Sequence, residues 1–423
     1  MIRTGASTRD TATRRGVAAE ELRRHNLAAV LERLHLSGPQ SRSELTARTG
    51  LNRSTVADLI GELTALGLAE EGPAPATSGP GRPSPLVRAR PQGAAVLAVE
   101  VSVDSIAVAT AGLGGVVYDQ ARVARPRRRF SPQETVRVVA KLAEPLLVSL
   151  PADHVLAGVG AGVAGVTRRS DGFLHVAPNL GWRNVPLGAT LATEFGLAAP
   201  VLVANEADLG ALAEHRRGVG VGVGHLIYVS GGAGIGVGVI YDGKPMLGSA
   251  GYAGEAGHTL INPNGQRCGC GALGCWEAEA GEAALARRAG IPATVAGLGV
   301  LGTVLTRTRA GHRPTLAALA DIGRWLGLGI GNLVNVLNPE LVVLGGFYHA
   351  LFPYLEAAVA EGARARAMDA PGGVARITSS GLGADALLIG AAELALSDVV
   401  ADPARTAGRG MPVGSPVEGK GGG

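Results

Sequence analysis

Residues 254–277, GEAGHTLINPNGQRCGCGALGCWE, contain all three cysteines of the 423-residue chain. Cys268, Cys270 and Cys275 lie too close together for a disulfide framework, and pairing two of them would leave one over. With His258, ten residues upstream, they supply the donors of a tetrahedral Cys3His site. Three buried, inert cysteines are the alternative, but random placement would scatter them along the chain. The stretch therefore predicts one structural Zn2+ per chain, which would fix the flanking Glu255 and Glu277 in place.

Length and composition indicate a globular protein of two or three domains. Hydrophobic residues make up 46% of the chain and charged residues 17%. No apolar run is long enough to span a membrane, and the polar N-terminus lacks the apolar core of a signal peptide. Together with reduced cysteines, these features predict a cytoplasmic protein without a membrane partner.

The positive charge is concentrated at the N-terminal end. Residues 1–90 contain 13 arginines and no lysine against 9 acidic residues, a balance of +4 that equals the net charge of the whole chain. The remaining residues are therefore neutral overall. A basic segment in front of a neutral body points to nucleic acid as a partner.

Residues 19–90 have the pattern of a winged helix-turn-helix domain, preceded by a disordered segment at 1–18. Apolar residues recur on one helix face after Glu20. A short helix at 43–48, a turn at Gly50 and a longer helix from Asn52 to Leu66 follow. The Gly- and Pro-rich segment 71–85 suits a wing. The alternative is a small helical module that contacts protein, with a flexible linker.

The residues expected to contact DNA lie in the two short helices and in the wing. The start of a recognition helix reaches base edges in the major groove, and a wing arginine can enter a narrow minor groove. These residues are Arg42, Asn52, Arg53, Ser54, Thr55, Asp58 and Arg82.

Residues 91–398 predict a duplicated α/β fold with two lobes and a cleft between them. Two segments, 94–123 and 225–248, each read as three strands separated by turns, and helices follow both. Ligands of such folds bind at the junction of the lobes. Residues 399–423 are expected to form a disordered tail.

Asn205 and Glu206 directly follow a strand-like run at 200–204 and precede a predicted helix. Polar groups at the carboxyl end of a strand in an α/β domain point into the cleft. An asparagine before an acidic first turn is equally typical of a plain helix cap. Both interpretations of this pair stay open from the sequence.

The body resembles the ROK family of repressors, open reading frames and sugar kinases. The resemblance covers about residues 94–395, and the front end is similar to that of the family's transcriptional regulators. It implies an actin-like, two-lobed fold and a zinc held by His258, Cys268, Cys270 and Cys275. It also implies a sugar site formed by Asn179, Asn205, Glu206, Glu255, His258 and Glu277. The matching motifs are GEAGH (254–258), CGCGALGCWE (268–277), APNLGW (177–182), NEAD (205–208), GAGIGVGV (near 231–239) and NVLNPELVVLGG (335–346).

Three positions depart from the family's kinases. Glu206 stands where the kinases carry a catalytic aspartate. The first phosphate loop, Asp-x-Gly-x-Thr in the kinases, reads Glu-Val-Ser-Val-Asp at 100–104 and so lacks the flexible glycine and the hydroxyl. Ala233 replaces a threonine of the second loop. All three changes fall on the nucleotide side, so we expect no catalytic residue and no kinase activity.

These features predict a sugar-responsive regulator, most simply a repressor of carbohydrate genes. We expect a homodimer or homotetramer that binds double-stranded operator DNA and takes a monosaccharide or its derivative as effector. Two alternatives remain. One is an ATP-dependent sugar kinase of the glucokinase or N-acetylhexosamine kinase type that carries a DNA-binding domain. The other is a regulator with a vestigial pocket that responds to a partner protein.

Overall fold

The computed structural model describes residues 8–72, 85–125, 130–292, 294–295, 298–406 and 411–412. Its N-terminal unit is a winged helix-turn-helix. A three-stranded sheet in the order β1–β3–β2 flanks the helices, and all its pairs are antiparallel. The elements are α1 (Thr8–Ser37), β1 (Gln40–Ser41), α2 (Arg42–Thr49), α3 (Arg53–Ala65), β2 (Ala69–Gly72) and β3 (Leu86–Ala89).

Local capping signals set the boundaries of α2 and α3. Ser41 and Glu44 form a reciprocal capping box at the start of α2, and Gly50 ends this helix in the left-handed region at φ 70°. The Asn52 side chain accepts a hydrogen bond from the Thr55 amide and so caps α3. The wing is the connection between β2 and β3. Its residues 73–84, which include Arg82, lie outside the described residues.

The first helix begins earlier than the sequence pattern predicts. α1 starts at Thr8, within the segment expected to be disordered up to residue 18. Residues 8–19 lack apolar periodicity but contain three alanines and three arginines, which favour helix. The helical backbone therefore extends ahead of the buried stripe that starts at Leu27.

The first lobe of the body is built on a five-stranded order, β11–β7–β4–β5–β6, and carries a small antiparallel sheet of β8, β9 and β10. Its elements are β4 (Ala95–Val101), β5 (Ser105–Gly112), β6 (Val116–Ala124), α4 (Pro132–Val148), β7 (Val155–Val163), β8 (Val166–Arg168), β9 (Phe173–Ala177), β10 (Trp182–Val185), α5 (Leu187–Glu194) and β11 (Leu202–Asn205).

The second lobe repeats this topology in the order β14–β13–β12–β15–β16. Its elements are α6 (Glu206–Arg217), β12 (Leu226–Gly231), β13 (Ile235–Tyr241), β14 (Lys244–Pro245), α7 (Trp276–Ala280), α8 (Glu282–Arg288), α9 (Leu298–Arg309), α10 (Arg313–Leu337), β15 (Leu341–Gly346), α11 (Phe347–Arg364), α12 (Asp369–Val374) and β16 (Arg376–Ser379). In each lobe the first strand pairs antiparallel with the second and parallel with the fourth. The duplicated two-lobed α/β fold predicted from the two meanders is confirmed.

The C-terminal segment is more ordered than predicted. α13 (Ala386–Ala401) runs past the expected start of the tail at residue 399, because Val399 and Val400 are buried in the core. α14 (Pro403–Thr406) follows, and β17 (Met411–Pro412) pairs antiparallel with the start of β7. The expectation of a disordered tail from residue 399 therefore fails for these elements, and residues 413–423 lie outside the described part.

The winged helix-turn-helix and the first lobe share one hydrophobic core. Leu27, Leu31 and Leu34 of α1 belong to the same buried cluster as Leu388 and Leu396 of α13. The two units are therefore packed together directly and not only joined through the chain. Among the residues described, no helix is both long enough and apolar enough to span a membrane.

Candidate functional site

A cleft of about 330 Å³ lies between the lobes. Its walls come from equivalent places in the two sheets: the end of β4, the turn after β12 and the end of β15. Glu206, at the start of α6, also lines it. The carboxyl ends of strands meet here, as expected for the ligand site of an α/β fold.

The four residues of the Cys3His motif converge beside this cleft. Their ligand atoms all lie within 4.8 Å of one another. Cys270 Sγ is 3.7 Å from Cys275 Sγ, and Cys268 Sγ is 3.6 Å from His258 Nδ1. Two ligands of a tetrahedral ion bound at about 2.3 Å would be roughly 3.8 Å apart. The donor set and its spacing therefore fit a bound metal ion.

Tight backbone turns bring these ligands together. Gly274 has a φ of 71°, and a Cβ added to it would lie 1.7 Å from the carbonyl oxygen of Asn262. Only glycine can occupy this position without displacing the backbone. Cys275 then pairs with Leu260 in an isolated bridge and forms the N-cap of α7. The motif thus connects the loop that carries His258 to the helix that carries Glu277.

Glu277 is held against the turn between β12 and β13. Its Oε2 accepts a hydrogen bond from the Ile235 amide at 3.0 Å, and its Oε1 lies 3.6 Å from Cys268 Sγ. The Cys3His cluster therefore contacts Glu277, a predicted sugar-binding residue. This contact is expected if the cluster holds that residue in position. About half of the Glu255 side chain is covered, since 47% of it is exposed, and its Oε2 lies 3.9 Å from His258 Nε2. Partial burial raises the pKa of Glu255, and the His258 charge opposes this rise.

Asn205 caps α6 and also ties the lobes together. Its Oδ1 accepts a hydrogen bond from the Ala207 amide at 2.8 Å, and its Nδ2 donates to the Gly165 carbonyl at 3.0 Å. The helix-cap interpretation is therefore correct for this residue. The same bonds fix the adjacent Glu206 in the cleft. Burial, together with the negative charge of Glu100, raises the pKa of Glu206 to about 7.

The nucleotide side of the cleft contains a bidentate ion pair. Arg122 donates from Nη1 and Nη2 to the two carboxylate oxygens of Glu100, each at 2.9 Å. Ser102 Oγ donates to Glu100 at 2.9 Å, and Ser105 Oγ accepts from Arg122 at 3.2 Å. Glu100 is buried and lines the cleft, so a phosphate at the end of β4 would meet a carboxylate that is already paired with Arg122.

The sequence analysis missed Arg122 because its role depends on strand register. Glu100 pairs with Ala107, and Ala107 pairs with Arg122, so the three residues form one row across β4, β5 and β6. The small Ala107 leaves room for the arginine to reach the glutamate. A correct pairing of the first meander would have revealed this contact, but no local motif does.

One further acidic side chain, Asp208, lies near the predicted sugar-binding residue Glu255 and was missed. Burial raises the pKa of Asp208 to about 7, the Arg169 charge opposes this, and the Glu255 charge adds to it. Asp208 was part of the NEAD motif, which is the signal that could have identified it. Asn179 lies in an exposed 3-10 turn and lines the cleft.

The predicted DNA contacts lie mostly on one exposed face. Arg53, Ser54 and Asp58 are exposed at the start of α3, and Thr55 is half-buried there. Asn52 is engaged in the helix cap, and Ser54 Oγ donates to its Oδ1 at 2.7 Å. Arg42 donates to Glu71 of β2 at 3.0 Å, which places it at the base of the wing.

Comparison with known proteins gives consistent matches. The family model for the ROK family matches residues 96–398. The xylose repressor of Caldicellulosiruptor bescii is 31% identical over 328 residues, which cover 74% of this chain and 81% of that protein. The glucokinase of Streptomyces coelicolor is 30% identical over 265 residues, covering 59% of this chain and 81% of that enzyme.

A solved structure matches nearly the whole chain. The crystal structure of a ROK family transcriptional regulator, a homolog of the E. coli MLC protein, superposes with a TM-score of 0.76. It is 23% identical and covers 91% of this chain and 99% of its own. The fold is thus a winged helix-turn-helix in front of an actin-like, two-lobed body. The chain belongs to the ROK family.

Proposed function

We propose that this protein is a sugar-responsive transcriptional repressor of carbohydrate genes that does not phosphorylate its sugar. The observation that carries the proposal is the contrast between the two halves of the cleft. On the predicted sugar side, Asn205, Glu255, His258 and Glu277 are all present; His258 belongs to the Cys3His cluster, and Glu255 and Glu277 lie next to its residues. The predicted nucleotide side instead carries the Glu100–Arg122 ion pair at the end of β4, where the carboxylate disfavours a phosphate. Relatives named xylose repressors support the same function.

The sugar ligand is a monosaccharide or a derivative of one, with D-xylose the first candidate because of those relatives. Carboxylates, an amide and an imidazole can donate to and accept from vicinal hydroxyls. The residues proposed for this role are Asn179, Asn205, Glu206, Glu255, His258 and Glu277. One structural zinc per chain, held by His258, Cys268, Cys270 and Cys275, keeps Glu277 and Glu255 in position.

A homodimer or homotetramer would place two α3 helices in successive major grooves of a palindromic operator. Contacts would come from Arg42, Asn52, Arg53, Ser54, Thr55 and Asp58, with Arg82 in the wing. Sugar binding closes the cleft and changes operator affinity through its different affinity for the two states.

The test is binding of the purified protein to its own upstream DNA, titrated with a panel of monosaccharides at several salt concentrations. We expect tight, salt-dependent binding that one sugar changes at least fivefold. The absence of specific binding at low salt would overturn the DNA-binding role. Specific binding that no sugar changes at millimolar concentration would overturn the sensor role and favour a partner protein as the signal.

A sugar kinase that carries a DNA-binding domain is the second candidate, and Glu206 supports it. A carboxylate with a pKa of about 7 in a cleft is suited to act as a general base. ATP-dependent phosphorylation of glucose, xylose or an N-acetylhexosamine, lost in Glu206→Gln, would establish this candidate. We expect no turnover above background, because the Glu100–Arg122 ion pair occupies the phosphate side.

A further inference from the structure

Helix α6 connects the predicted sugar site to the DNA-binding unit. Its first residues are Glu206, in the cleft, and the capped turn after Asn205. Its last residues, Arg216 and Arg217, lie against α1 of the winged helix-turn-helix and against α13. A helix of 12 residues is about 18 Å long, so one end of α6 lies in the cleft and the other lies at the contact with α1 and α13.

A buried charged cluster joins the end of α6 to the DNA-binding unit. Glu393 of α13 accepts from Arg217 Nε at 2.7 Å and from Arg216 Nη1 at 3.1 Å. Its Oε2 lies 2.9 Å from Nε2 of His35, which belongs to α1. His35 and Glu393 are each only 1% exposed. We name these four residues the junction cluster.

The connection between His35 and the body has several independent hydrogen bonds. Arg217 Nη1 donates to the His35 carbonyl at 3.0 Å, and its Nη2 lies 2.7 Å from the ring Nε2. The Gly114 amide donates to the other ring nitrogen, Nδ1, at 2.9 Å. Gly115 leaves space for Arg217, because a Cβ there would lie 2.7 Å from the guanidinium. His35 is thus held by α6, by α13 and by the turn between β5 and β6.

The end of α6 is also fixed to the second lobe. Glu214 is buried and accepts hydrogen bonds from the Leu382 amide at 3.0 Å and from Ser380 Oγ. These residues follow β16, whereas α13 packs on the first lobe. If the angle between the lobes changes, the C-terminal end of α6 must therefore either shift relative to α13 or carry α13 with it.

We infer that α6 and the junction cluster couple the sugar site to the DNA-binding unit, so that closure of the cleft reorients the winged helix-turn-helix as a rigid body. This inference rests on the proposed repressor function. A buried ion pair tolerates little change in geometry, because each separated charge is left without solvent. The cluster and the shared core therefore transmit a displacement of α6 to α1 and do not absorb it.

The test compares the effect of sugar on operator affinity in variants of the junction cluster. Arg217→Lys keeps the positive charge that pairs with Glu393 but loses the planar fork that contacts His35. His35→Gln removes the ring and leaves the three charges paired. Each protein is titrated with its own upstream DNA fragment, with and without saturating D-xylose or D-glucose, whichever changes wild-type binding. Calorimetry measures sugar binding separately.

We expect the ratio of DNA dissociation constants with and without sugar to differ from one by at least fivefold in the wild type and by less than twofold in both variants, while sugar is still bound. Arg24→Ala is the matched control. It removes an exposed ion pair with Asp402 at the edge of the same α1 contact and should leave the ratio unchanged. Should Arg217→Lys fail to fold, His35→Gln decides the question.

Two contrary results are distinguishable. A wild-type protein whose DNA binding no sugar alters would overturn the proposed function, and this inference with it. A wild-type protein that responds, with a folded His35→Gln variant whose ratio stays within twofold of the wild-type ratio, would overturn the inference alone. Loss of the response in Arg24→Ala as well would assign coupling to general packing of α1 and not to the junction cluster.

Discussion

Glu206 and Asp208 are acidic side chains whose charged forms are disfavoured in the folded protein. Burial is the main cause for both, and each pKa is raised to about 7. A carboxyl group whose pKa is higher in the folded than in the unfolded state binds protons more tightly when folded. Its favourable contribution is therefore complete below the unfolded pKa and is lost as the pH rises through about 7.

We predict that the free energy of unfolding of the sugar-free protein falls between about pH 5 and pH 8. Glu206→Gln should make this fall in the free energy of unfolding smaller by on the order of 2 kcal/mol, because the amide does not titrate. Urea unfolding at several pH values measures it. Glu194→Gln, an exposed change on α5, is the control and should leave the slope unchanged. An identical slope in Glu206→Gln would mean that Glu206 is solvated in the folded state.

The metal cluster gives a second prediction at this scale. Cys270→Ser should reduce bound zinc from one per chain toward zero and destabilise the protein by roughly 4 kcal/mol or more, since metal binding contributes to folding. Metal analysis and thermal unfolding measure the two effects. Ala272→Ser, in the same exposed loop, should change neither. Wild-type protein purified without any bound metal would remove the basis for this expectation.

At the level of single elements, α3 carries the predicted DNA contacts on its exposed N-terminal turn. Arg53→Ala should weaken operator binding by roughly tenfold, as expected for the loss of one good base or phosphate contact. A titration of labelled operator DNA measures this. Arg183→Ala, on exposed β10 of the body, removes the same charge far from the wing and should have little effect. Equal losses in both variants would indicate a general effect of charge.

Elements that depend on local signals were predictable, and elements that depend on distant contacts were not. The capping box at Ser41 and the left-handed Gly50 are local, so the helix-turn-helix could be read from the sequence. Both meanders could be read for the same reason. The pairing of β17 with β7 and the Glu100–Arg122 row depend on chain segments that meet only after folding. For the site, the metal ligands could be predicted because they are close together in the sequence. The junction cluster could not, because it joins residues 35, 216, 217 and 393, which are far apart in the sequence.

For the whole molecule, the shared core has a thermodynamic consequence. Leu27, Leu31 and Leu34 of α1 lose their apolar partners if α13 unfolds. We therefore predict that calorimetry of the full chain shows the DNA-binding unit and the first lobe unfolding in one transition. Hydrogen exchange should give the α1 and α13 amides similar protection. A separate low-temperature transition confined to the winged helix-turn-helix would show that the interface contributes little.

Because Glu100 and Arg122 form an ion pair, stability depends on which of the two residues is substituted first. Glu100 is buried, whereas the Arg122 side chain is 38% exposed. Arg122→Ala alone leaves a buried carboxylate without its charged partner, which typically lowers the free energy of unfolding by about 3–5 kcal/mol. Glu100→Ala alone leaves a guanidinium that water can reach, so its cost should be smaller. Urea unfolding of the two single variants and the double variant measures the asymmetry. An evolutionary route toward an open phosphate loop would thus have to change the glutamate before the arginine, and the reverse order would pass through a poorly folded intermediate.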